Sequence, residues 1–64
     1  MAIVETYYRI RIKDKWLDDL GGACDYRAHA AIFQTLEGAK VGRFRARKHF
    51  PRKAVKIIRV NVYG

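Results

Sequence analysis

Hydrophobic and polar positions alternate at both ends of the chain. Within residues 3–13, Tyr8, Ile10 and Ile12 fall on one side, and Arg9, Arg11 and Lys13 on the other. A period of two built from β-branched and aromatic residues predicts a half-solvated strand. Residues 54–63 predict a second one, with Ile58, Val60 and Val62 facing one way and Arg59 and Asn61 the other. Val55 and Ile57 add apolar weight to the other face at its start, so this strand is expected to be central or covered on both sides.

The middle of the chain admits two readings. Residues 14–22 read as a connection, with a short helical turn at Trp16–Leu20 closed by Gly21-Gly22. In one reading residues 24–37 then form a helix, because Cys24, Ala28, Ala31, Ile32, Thr35 and Leu36 recur at helical spacing and Gly38 caps the end. Residues 40–48 become a strand in that case. In the other, residues 27–35 form a strand and residues 36–50 the helix. Thr35 offers an N-cap hydroxyl there, Glu37 suits the positive end of the helix dipole, and the later Lys and Arg suit its negative end. Pro51 stops the helix after Phe50. The inward stripe would be Leu36, Ala39, Ala46 and Phe50, with Gly42 easing contact with a sheet and Arg43 reaching out along its stem. The charge gradient favours this second reading. The expected fold is α+β, a small three-stranded sheet with one helix packed on it, ordered β-β-α-β, with β-α-β-β as the alternative.

Sixty-four residues make a single domain, 1–64. A chain of that size buries only roughly 60% of the surface its unfolded form exposes, which leaves no depth for a walled active-site cavity. The lone Cys24 excludes an intramolecular disulfide. With no leader pattern and no apolar run of membrane length, a cytoplasmic location is expected.

Charge changes the picture most. Residues 1–37 carry five Lys/Arg against six acids, a net of −1, while residues 38–64 carry nine Lys/Arg and no acid, a net of +9, together the formal +8. An ordinary solvent face mixes both signs, so an acid-free cationic segment points to an acidic partner.

The run Tyr7-Tyr8-Arg9-Ile10, the segment Ile32-Phe33-Gln34-Thr35-Leu36-Glu37-Gly38-Ala39-Lys40 and the closing alternating strand resemble many short bacteriophage-encoded proteins. The shared motifs are structural rather than chemical. The resemblance implies a phage origin, and a role in binding and inhibiting a host component or in touching nucleic acid. The arginine-rich helix is a departure from that group.

The residues expected to bind are Lys40, Arg43, Phe44, Arg45, Arg47, Lys48, Arg52 and Lys53, with His49 among them. On a helix Lys40, Arg43 and Arg47 share one side. Guanidinium forks pair with phosphate oxygens, and neutralised phosphates release counterions. Phe44, Tyr7 and Tyr63 are candidates to stack on unpaired bases. The expected partner is therefore nucleic acid, DNA or RNA, bound with little sequence preference. The alternative is an acidic host protein, docked and blocked in the host cytoplasm.

Asp14, Asp18, Asp19 and Asp25 match no calcium loop, and Cys24, Asp25 and His29 fall short of a structural zinc set. A small nuclease-like enzyme using Asp25 and His29 is the weakest of the readings, since no orienting group or oxyanion donor accompanies them. No catalytic residue, metal, cofactor or membrane contact is expected. An edge strand could pair with a second copy to give a homodimer.

Overall fold

The computed structural model describes residues 2–64. The first strand, β1 (Ile3–Ile12), turns back through Lys13-Asp14 into β2 (Lys15–Leu17), and β3 (Ala23–Cys24) follows. A short 3-10 turn at Arg27–His29 leads to the helix α1 (Leu36–Ala46). A second 3-10 turn, Arg52–Ala54, then opens the last strand, β4 (Val55–Tyr63). One helix therefore packs on an antiparallel sheet, an α+β architecture, but the sheet has four strands in the order β3-β2-β1-β4.

Strand β2 overlaps the segment expected to hold a helical turn, and β3 lies just after the Gly21-Gly22 pair expected to close it. Ile12 pairs with Lys15 and Arg11 with Trp16, so Lys13 and Asp14 form a two-residue hairpin loop. Lys13 takes the positive φ of 59° that such loops demand. Glycine or asparagine usually occupies that position, so this sequence carried no hairpin signal there. The next loop is held by Asp18, whose Oδ1 accepts from the amides of Leu20 (2.9 Å) and Gly22 (2.8 Å). Gly21 supplies the left-handed φ of 84°.

Residues 27–35 do not make the expected strand. Their pairing is confined to single bridges, Ala30 with Asp18 and Phe33 with Tyr8. The two Tyr8–Phe33 backbone hydrogen bonds are both 2.8 Å and fix where the chain enters the helix. A helix over 24–37 and a strand over 40–48 are likewise absent.

The helix starts as its sequence predicts. Thr35 Oγ1 accepts from the Gly38 amide at 3.0 Å and Glu37 lies in the first turn. Thr35→Ala should cost about 1 kcal/mol, read as a lower midpoint in a urea melt with an unchanged slope. The helix ends at Ala46, four residues earlier than expected, and Arg47–Phe50 form a turn in which the Phe50 amide still donates to Ala46 at 2.9 Å.

Its buried face is narrow: Ala39, Gly42 and Ala46. Leu36, expected to point inward, is 44% exposed. Ala46 packs with Ile10, Ile12, Leu17 and Val55, and Ala23, Phe33 and Phe50 close the rim. A Cβ at Gly42 would lie 2.6 Å from the tip of the Phe33 ring and 3.1 Å from Ile10 Cδ1. The glycine is what lets the helix sit so close to the sheet.

Residues directly opposite in an antiparallel pair share a face. Ile10 opposes Ile57 and Ile12 opposes Val55, and these face the helix. Ile58, Val60 and Val62 therefore face away from it, with Arg9, Tyr7 and Glu5 opposite them in turn. Nor is β4 central: it is the long open edge of the sheet.

Candidate functional site

The site is built where the end of α1 meets the start of β4. Arg43 and Arg47 lie one turn apart on the flank of the helix nearest β4, half-buried, and the Arg47 Nη2 donates to the carbonyl of Val55 at 3.4 Å. The turn after Pro51 brings Arg52 to the same place. Phe44, Arg47, Lys48 and Arg52 together line a shallow groove. Phe44 is 65% exposed, and the Lys48 ammonium sits 5.1 Å from its ring centroid.

Three guanidinium groups crowd here. The charge on Arg47 is destabilised, its pKa pushed below the usual arginine value first by loss of surrounding water and then by repulsion from Arg43 and Arg52. Its Nε is buried with no hydrogen-bond partner among the described residues. Among the described residues no carboxylate pairs with these cations. Among the described residues the one ion pair is Lys15–Asp25, at 3.5 Å, on the far side of the sheet order. An unneutralised cluster with a spare donor is suited to an external anion, since charge-assisted hydrogen bonds to arginine are stronger than neutral ones.

The structure divides the remaining predicted residues. Lys40 is exposed one helical turn before Arg43 and Phe44, on the same side as the cluster, and Lys53 is exposed beside Arg52. Arg45 departs from the group. It lies with His49 along the opposite flank, in an open cleft of about 490 Å³ whose other wall carries Asp18 and Asp19. Tyr63 is exposed at the end of β4, and Tyr7 is half-buried on the sheet face away from the helix.

The acidic and sulfur-bearing residues have local structural uses. Asp18 holds its loop, Asp25 pairs with Lys15, and Cys24 Sγ lies 3.4 Å from the Tyr26 carbonyl as a hydrogen-bond donor. No group of three His, Cys, Asp or Glu that could hold a metal occurs among the described residues. No helix among them is long and apolar enough to cross a membrane.

The sequence pointed to Tyr7 as a stacking candidate but not to the surface around it. Trp16, Arg11 and Arg9 lie with Tyr7 on the open face of the sheet, the Arg11 guanidinium 5.2 Å from the Trp16 ring and that of Arg9 5.3 Å from the Tyr7 ring. The alternation of Tyr7, Arg9 and Arg11 could have signalled it. The position of Trp16 could not be read without knowing that β2 exists. No family model, curated protein or solved structure matches this chain.

Proposed function

We propose that this protein is a small non-enzymatic binding module that grips the phosphates of nucleic acid, DNA or RNA, with little sequence preference. Arg43, Arg47, Lys48 and Arg52 make the contacts, Phe44 lies open to an unpaired base, and Lys40 and Lys53 extend the cationic track. The observation that supports this reading is the groove shared by Phe44, Arg47, Lys48 and Arg52, with no ion pair among the described residues to neutralise its cations. Binding that releases counterions would relieve the repulsion that the fold otherwise sustains.

A second reading is supported by Phe44 itself. An exposed aromatic ringed by cations is also how a protein interface anchors on an acidic surface. A phage-encoded inhibitor of an acidic host protein, acting in the host cytoplasm, would use the same residues. A homodimer through β4 is less well supported. Full-register antiparallel pairing of two copies would set Arg59 against its own counterpart, and like charges directly opposite are destabilising.

A pull-down from bacterial lysate, with and without nuclease, separates these readings. The expected result is bound material that disappears on nuclease treatment and shifts in a gel with the purified protein. A single stoichiometric protein partner that survives nuclease and high salt would replace the nucleic-acid reading with the inhibitor reading.

A further inference from the structure

We propose that the open face of the sheet is a stacking platform for single-stranded nucleic acid, with Trp16 and Tyr7 receiving bases and Arg11, Lys56 and Arg9 holding phosphates. The proposal rests on the nucleic-acid reading of the helix patch and adds to it the strandedness of the ligand and a second binding surface.

The register of the sheet places these residues. Arg11 is the partner of Lys56 on one side and of Trp16 on the other, and Trp16 is the partner of Cys24. Lys56, Arg11, Trp16 and Cys24 therefore make a straight row across all four strands. Two like charges, Lys56 and Arg11, stand side by side in it, an arrangement unfavourable in itself. Beyond them, Arg9 opposes Ile58 and Tyr7 opposes Val60. The acid on this face is Glu5, beyond Tyr7 and six positions from Arg11 along β1. The face is thus cationic at one end and through its middle, with an aromatic ring beside each arginine.

Base stacking requires a flat ring with an accessible side. Trp16 and Tyr7 are half-buried, and a guanidinium lies 5.2 Å from the centroid of the first ring and 5.3 Å from that of the second. Stacking a base on a ring is a stronger contact than an exposed cation–π pair. A base can replace the guanidinium, which then exchanges its present bond, from Arg11 Nε to the Lys13 carbonyl (2.9 Å) or from Arg9 Nη2 to the Tyr7 hydroxyl (3.5 Å), for one to the adjoining phosphate. The Arg9 Nε, buried and without a partner among the described residues, is a donor already unsatisfied. A duplex would present its base edges and backbone but not its ring faces, so this surface selects an unpaired strand.

The two surfaces are joined. Arg47 contacts Val55 at the start of β4, and the next residue, Lys56, begins the row on the open face. Because β4 is the edge of the sheet, a flexible strand can pass from the helix groove around that edge to Arg11 and Trp16. The row from β4 to β2 spans about 10 Å at the usual strand spacing.

Trp16 is the only tryptophan in the chain, so its emission reports on this face alone. The test titrates the full chain with an oligothymidine of about 12 nucleotides, a length within the range of small single-strand binders, and with a duplex of equal length. Saturable quenching by the single strand and none by the duplex is expected. Lys56→Glu, at an exposed position, should weaken the single strand about tenfold while raising the melting temperature, because it replaces a like-charge pair with an opposite one. Tight binding with unchanged Trp16 emission and unchanged affinity in Lys56→Glu would overturn the platform and leave the helix patch standing. Failure of both oligonucleotides to bind would overturn both readings. Burial of Trp16 only in a nuclease-resistant protein complex would make this face a protein-docking surface and overturn the proposal.

Discussion

Replacing Lys48 and Arg52 together by glutamate is expected to weaken single-stranded oligonucleotide binding by roughly a hundredfold at low salt. Two charge-assisted contacts are lost at about 1.5 kcal/mol each, and the new carboxylates repel the phosphates. The slope of log affinity against log salt should fall by about 1.4, at about 0.7 per phosphate contact on a single strand. These two positions are chosen because both side chains are exposed. Arg47 would be a poorer test, being half-buried and bonded to the Val55 carbonyl. A glutamate at position 52 would also sit beside Arg47 and offset the repulsion there. The melting temperature should therefore hold or rise while binding collapses. Unchanged affinity, measured by fluorescence anisotropy across a salt series, would reduce the groove to a solvated surface.

The second large effect concerns the fold. Gly42→Val should cost about 3 kcal/mol, at the upper end of overpacking in a tight core. Glycine is a poor helix former, so a substitution at an open helical position would be expected to stabilise. Here the first added carbon already lies 2.6 Å from the Phe33 ring and 3.1 Å from Ile10, which is fully buried. A domain of this size commands a total stability of roughly 3–10 kcal/mol, so the loss should be visible as a large drop in urea midpoint. Phe33→Ala opens the space that the valine needs. The double variant should therefore cost clearly less than the sum of the two single changes. Strict additivity would show that the helix does not rest on Phe33 through Gly42.

The binding surface depends on that close approach. The helix buries only Ala39, Gly42 and Ala46 toward the sheet, and such small residues let its flank descend to the level of β4. Arg47 can then reach the Val55 backbone and meet Arg52 across the turn. A bulkier stripe would lift the helix and separate those guanidinium groups. The same narrowness leaves Phe44 and Val41 in solvent.

The local chemistry of the sequence determined the two long strands, the Thr35 cap, the helix start and the acid-free segment carrying Arg43, Arg47, Lys48 and Arg52. Each rests on periodicity, capping or charge within a few residues, and needs no distant partner. Tertiary structure decided the rest. Strand β2 exists because Lys13 accepts a positive φ, a cost repaid by pairing that the sequence does not display. The segment over 27–35 has strand-like composition, yet the loop after β3 leaves it only the bridges at Ala30 and Phe33. Which apolar row of β4 meets the helix followed from its register against β1: Val55 and Ile57 were taken inward, and Ile58, Val60 and Val62 were left on the open face. Register is a property of two strands together, and it alone brought Lys56, Arg11 and Trp16 into one row.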